Sequence, residues 1–316
     1  MQNRRSRSLR WAMPLAIVMA TRLLPASKPA GEALPVPEVP VSAELLGDRR
    51  TVAPGETFSL GVLLTIGKGW HVYWRNPGDA GLATRVVFRL PAGFRAGPLR
   101  WPTPETFRQA GDLVGYGYAG RVLLWADVTV PKTLPPTGHV DVSAEVAYLA
   151  CNEQCVPGQA TVKLRLPVAR RGVQANAERF AAWRGRLPRA AADADELASV
   201  AVSGRIPPGA ATGRFTVLLR WRRPPVAVEW CPAAGSDLVV EKVLIRTRGR
   251  ETRVRFSAER AGGSATGSVL ETVAVHVDGR GARRGVLVPI ALEGIPVKAT
   301  TRPSIPGRSP EQRRQP

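Results

Sequence analysis

The sequence predicts an all-β protein of two antiparallel β-sandwiches joined by a short helical linker. Three observations lead there. Apolar residues recur with period two in two long tracts, glycine (31) and proline (29) punctuate those tracts, and only one intervening stretch shows helical spacing. At 316 residues the chain can build about two domains with a sizeable core each, so folding does not require a disulfide.

In chain order, residues 1–33 read as an export signal. "MQNRRSRSLR" is a positive n-region, and "WAMPLAIVMA" is an apolar h-region too short to span a bilayer, which Arg22 prevents from extending. Cleavage is expected after Ala20 or within "PASKPAGEA"; an uncleaved amphipathic anchor is the alternative. No cysteine precedes Cys151, which excludes a lipoprotein anchor. The mature chain is therefore expected to be soluble, outside the cytoplasm, where thiols are readily oxidised.

The first sandwich is assigned to 41–169. "TFSLGVLLTI" sets Phe58, Leu60, Val62, Leu64 and Ile66 on one parity against Thr57, Ser59 and Thr65, the pattern of a half-buried strand. "RVLLWADVTV", "HVDVSAEVAY" and "ATVKLRLPV" repeat it between the turns "RNPGDAG", "LPAGFRAGP" and "PKTLPPTG". Residues 170–199 hold "VQANAERFAAWRGRL", where Phe180, Trp183 and Leu187 form a helical stripe suited to packing on a neighbouring domain. Alternation returns over 200–296 in "RFTVLLRW", "LVVEKVLIRT", "ETRVRFSA", "VLETVAVHV" and "RGVLVPIAL", a second sandwich. Residues 297–316, rich in Pro, Arg and Ser, are expected to be a disordered tail.

The net charge of +20 invites a nucleic-acid reading, but its distribution argues otherwise. Residues 1–33 carry +5 and residues 298–316 carry +4, against +3 for 41–169 and +6 for 206–297. A nucleic-acid binder concentrates charge on one element among stacking aromatics, so no nucleic-acid partner is expected; attraction to an anionic membrane surface fits better. No Gly-rich phosphate loop, nucleophile elbow or paired acid and base is present, which excludes hydrolases and nucleotide enzymes.

Chemistry concentrates in "LACNEQCVPG", where Cys151 and Cys155, two of three cysteines, join one alternating strand to the next. They admit three readings: structural staple, half of a metal site, or redox pair. A staple across so short a loop restrains little chain entropy. A metal site lacks ligands, because Met1, Met13 and Met19 fall in the leader and His71, His139 and His276 are scattered. No metal and no organic cofactor are expected. Strained, accessible disulfides are the readily exchanged ones, which favours the redox pair. The rival class is a binding or scaffold module, including one serving metal stress, with a structural disulfide. Cys231, in "VEWCPAAG", reads as a buried free thiol, with an intermolecular disulfide as the alternative.

The blocks "GWHVYWRNPGDAGLATRV", "LVGYGYAGRVLLWADVTVP" and "YLACNEQCVPGQATVKLRLPV" resemble the amino-terminal periplasmic domain of the DsbD disulfide-reductase family, particularly its ScsB-like branch, over about 41–169. The second sandwich is similar in layout to the second extracytoplasmic domain of that branch. The resemblance implies immunoglobulin-like folds and a periplasmic thiol:disulfide oxidoreductase. Cys151 and Cys155 would be its redox pair, with Cys155 facing the partner. Electrons would come from a membrane-embedded thiol transporter, CcdA-like or DsbD-like, and pass to oxidised periplasmic thiol proteins. The resemblance also implies a cap loop over Asp112 to Tyr118, with Asp112 and with Tyr116 or Tyr118 lying over the sulfurs; a Gly-rich hairpin with packed tyrosines is the alternative. Glu153 and His71 are candidate modulators of thiol acidity. A complete reductase continues into membrane and thioredoxin-like domains that this sequence does not contain, so a separate donor is expected.

Overall fold

A computed structural model of the chain describes residues 40–134, 138–233, 238–260 and 269–293, together with a strand at 298–300. The leader at 1–33 and the tail beyond residue 300 lie outside the described residues. Among the described residues the fold is all-β, with two immunoglobulin-like sandwiches and one α-helix.

The first sandwich uses β1 (Val41–Gly47), β2 (Thr57–Ile66), β3 (His71–Gly78), β4 (Arg85–Arg89), β5 (Arg95–Ala96), β6 (Glu105–Arg108), β7 (Val114–Ala119), β8 (Arg121–Thr129), β9 (His139–Cys151) and β10 (Cys155–Pro167). One sheet runs β1-β2-β8-β5 and the other β10-β9-β3-β7-β6, with β4 pairing β9 beyond the end of β3. In β9 the alternation maps directly onto burial: Val140, Val142, Ala144, Val146, Tyr148 and Ala150 face the core. Tyr148 also ties the two sheets, donating its hydroxyl to the Val41 carbonyl (3.1 Å). Its ring lies over Gly158, its cross-strand partner, where an added Cβ would stand 2.3 Å from the ring. Gly158→Ala is therefore expected to displace the ring and cost about 1–3 kcal/mol, seen as a lower denaturant midpoint.

Strand β2 departs from the half-buried expectation, because Ser59, Gly61 and Leu63 on its outward parity are buried too. The cause is the linker. Helix α1 (Ala177–Arg184) buries Phe180 and Trp183 in the first core, and Arg184 donates to Ser59 Oγ (2.8 Å) and to Asp48 (3.2 Å). The stripe read from the sequence thus covers the outside of the first sandwich.

The second sandwich comprises β11 (Arg189–Ala190), β12 (Leu197–Arg205), β13 (Thr212–Trp221), β14 (Ala227–Pro232), β15 (Leu238–Arg248), β16 (Glu251–Arg260), β17 (Val269–Val277), β18 (Arg283–Ala291) and β19 (Lys298–Thr300). Its sheets are β11-β18-β17-β14 and β15-β16-β13-β12-β19, closed over Phe215, Trp221, Trp230 and Phe256. Strand β19, at 298–300, pairs with β12.

The sandwiches meet where β6 touches β14 and β18. Glu229 on β14 binds the Arg283 guanidinium through both carboxylate oxygens and accepts the Thr106 backbone N–H (3.0 Å), while Arg283 also donates to the Pro104 carbonyl (2.9 Å). Asn76 donates to the Pro232 carbonyl (2.6 Å), and Arg75 pairs with Glu271 (2.8 Å).

Candidate functional site

Strands β9 and β10 form an unbroken hairpin whose last cross-strand pair is Cys151 with Cys155. Asn152, Glu153 and Gln154 make the turn: Gln154 N–H donates to Asn152 Oδ1 (2.8 Å), and Asn152 N–H to the Gln154 carbonyl (3.0 Å). Such side-chain-to-backbone bonding is what asparagine contributes at turns. The two sulfurs are joined in a disulfide across a Cα separation of 4.2 Å.

The cysteines differ in access. Cys151 is 1% exposed, whereas Cys155 is exposed at the hairpin end. Strand alternation places Cys151 on the parity of Ala147 and Leu149, away from the sandwich core. Its burial comes from the neighbouring strand. His71 stands directly across from Cys151, and Tyr73 follows on the same face of β3.

Tyr73 Oη donates to Cys151 Sγ at 3.4 Å and accepts from Gln109 Nε2 at 2.7 Å. Gln109 also approaches His71 Nε2 (3.4 Å), and Phe107 stacks on the imidazole with centroids 4.4 Å apart. Gly81, at φ +109°, lies against the Tyr73 ring, where a Cβ would come within 2.3 Å of it. This explains a glycine in "NPGDAG": both the backbone angle and the ring's approach require it.

These contacts bear on sulfur chemistry. A disulfide sulfur accepts a weak hydrogen bond, whereas a thiolate accepts a charge-assisted one. The amide-to-phenol-to-sulfur chain therefore favours the reduced, ionised Cys151 over the oxidised form. His71 does not help by charge, because burial lowers its pKa from the ordinary 6.5 and keeps it neutral. Tyr73→Phe is accordingly expected to move the pair's reduction potential about 20–40 mV more negative, read by equilibration with glutathione buffers.

The other predicted residues divide. Asp112 is exposed, at the end of a single 3₁₀ turn (Ala110–Asp112) closed by Gln109 N–H donating to the Leu113 carbonyl (2.9 Å). Glu153 is exposed in the hairpin turn beside the pair. Tyr116 and Tyr118 do not lie over the sulfurs. The register matches Gly117 to Tyr73, so the glycines of β7 share the cysteine face and the tyrosines point into the core. Tyr118 donates to the Pro102 carbonyl (2.8 Å), and both phenols are pushed up by burial. Their place over Cys151 is taken by Tyr73, with Phe107 and Gln109 behind it. Tyr73 carried a signal in sharing parity with His71, though its sequence context suits an ordinary packed aromatic equally well. Gln109 and Phe107 carried none.

Cys231 is free and buried, 3.8 Å from Thr106 Oγ1, and its thiol is pushed up to about 12 by burial and by the Glu229 carboxylate. Among the described residues no three His, Cys, Asp or Glu side chains converge as a metal site. No helix among them is long and apolar enough to cross a membrane.

The site is a disulfide at the end of a hairpin in an immunoglobulin-like sandwich, with Cys151 buried and Cys155 exposed. Residues 42–167 match the family model described as thiol:disulfide interchange protein DsbD, N-terminal. The fold over 80% of the chain is similar to the N-terminal periplasmic domain of ScsB from Proteus mirabilis, at 16% identity and TM-score 0.56, spanning 93% of that structure. BcpA, the major pilin subunit of Bacillus cereus, aligns at 9% identity over 83% of this chain and 66% of the other, with a TM-score of only 0.27. No curated protein matches the chain.

Proposed function

We propose that the unit 41–169 is a periplasmic thiol–disulfide carrier, with 170–199 as its linker and 200–296 as an accessory sandwich. The observation that carries this reading is the asymmetry of the pair: Cys155 exposed at the hairpin end, Cys151 1% exposed beneath Tyr73. In the reduced carrier the Cys155 thiolate attacks one sulfur of an oxidised periplasmic protein. A mixed disulfide forms and the partner's other sulfur leaves as thiolate. Cys151, held by Tyr73, then attacks Cys155 Sγ, which closes the disulfide seen here and releases the partner reduced by two electrons. A membrane-embedded thiol pair, CcdA-like or DsbD-like, restores the carrier by the same exchange in reverse. The exposed Glu153 disfavours the neighbouring thiolate by charge.

The test is equilibration of the folded chain with glutathione and dithiothreitol buffers of graded potential, read by thiol alkylation. Reversible opening at an intermediate potential, with the fold intact, is expected. A pair that stays closed in the folded protein under strongly reducing conditions would leave only the structural-disulfide reading.

A further inference from the structure

The outward face of the sheet β15-β16-β13-β12 carries more arginine than a sheet needs. Register sets Arg246 opposite Arg253 and Arg205 opposite Arg214. Like charges directly opposite one another destabilise a sheet, so these pairs work against the fold. Leu244, Arg246, Arg248, Glu251, Arg253 and Arg255 enclose a groove of about 260 Å³. Glu251 is its only carboxylate and is shared between Arg253 (3.5 Å) and Arg220 (3.8 Å). Among the described residues Arg246, Arg248 and Arg255 reach no carboxylate within 4.0 Å.

We propose that this face docks on the anionic phospholipid surface of a membrane. Guanidinium groups match phosphate oxygens as planar forks, and arginine replaces lysine almost throughout the face. The charge is spread across four strands, from Arg246 and Arg248 on β15 through Arg253 and Arg255 on β16 and Arg214 and Arg220 on β13 to Arg205 on β12; Glu241 and Glu259 offset Arg205 and Arg214, so the excess lies toward Arg246, Arg248, Arg253 and Arg255. That breadth suits a plane of headgroups better than one small anion. Leu244, 58% exposed within the groove, gives the face an apolar side chain to press between headgroups. The register positions flanking these arginines include Ser199, Ala201, Ser203, Thr216, Leu218 and Ser257, with no aromatic for stacking bases, which disfavours nucleic acid as the occupant.

The test is co-sedimentation of the full chain with vesicles of phosphatidylcholine alone and of phosphatidylcholine with phosphatidylglycerol in equal parts. The chain is expected to bind only the second. The variant R246Q/R253Q/R255Q is expected to lose at least about tenfold in affinity, and the equally neutralised control R85Q/R95Q/R121Q, from the first sandwich, less than about twofold. Because the first variant removes like-charge contacts, its melting temperature should match or exceed the parent's; a lower one would show that the arginines serve the fold and would overturn the proposal. Equal losses in both variants would reduce the effect to net charge. Competition by millimolar inorganic phosphate would point to a small-anion site, and tighter binding to a short single-stranded oligonucleotide would make nucleic acid the occupant. Each of those three results also overturns it.

Discussion

Cys155→Ala is expected to abolish thiol exchange with protein disulfides, while Cys151→Ala is expected to accumulate a covalent mixed disulfide with a partner from a periplasmic extract. The asymmetry follows from access. Thiolate attack requires an in-line approach to a partner sulfur, which the exposed Cys155 offers and the buried Cys151 does not. Without Cys151 the first step still occurs, but nothing resolves the product. Without Cys155 the remaining sulfur lies beneath Tyr73, whose hydroxyl is 3.4 Å away, and meets no partner. Non-reducing electrophoresis followed by identification of the trapped protein checks this. Equal trapping by both variants would contradict the assigned order of attack.

Glu229→Ala carries the second large effect, at the junction of the sandwiches. The substitution strands the Arg283 guanidinium and leaves the Thr106 N–H without its acceptor. Breaking a buried pair by removing one partner costs about 3–5 kcal/mol; with side chains 21% and 27% exposed here, solvent recovers part of that, and about 2–3 kcal/mol is expected. Urea denaturation of both proteins at neutral pH reads the difference directly. The pH dependence gives an independent check. Burial alone would raise the Glu229 carboxyl, but hydrogen bonds from Arg283 and Thr106 outweigh it and hold it below the ordinary 4.5. A depressed folded value means that this contribution is complete above 4.5 and fades as pH falls through the lower folded value. The gap between parent and variant should therefore narrow in acid.

The junction also bears on the cysteine site. β6 is one edge of its sheet, with Thr106 turned toward Glu229 and Cys231 and Phe107 turned toward His71. One four-residue strand thus touches the second sandwich with one face and the cysteine environment with the other. Nothing in "ETFR" announces this, since so short a run carries too little periodicity to show which way either side chain points.

Legibility followed the range of the interaction. Period-two alternation identified β9 and its inward residues, because strand geometry alone places alternate side chains on opposite faces. "CNEQC" between two alternating runs marked a hairpin end, and the adjacency of Cys151 and Cys155 needs only that hairpin. The alternation of β2 reads as half-buried because what reaches its outward face is a helix more than a hundred residues away, whose Arg184 donates to Ser59. Of the two readings of β7, the register favours the hairpin of packed tyrosines, and Tyr73 lies over Cys151 instead.

By itself, then, the sequence determined the strands, the linker helix and a hairpin that holds two cysteines together, all consequences of local backbone geometry and side-chain period. Only the tertiary structure decided which strand lies beside that hairpin, which sulfur is covered and by whose hydroxyl, and that Glu229 and Arg283 close the junction. Those depend on pairing between residues distant in the chain, where a shift of one residue in register would reverse every face.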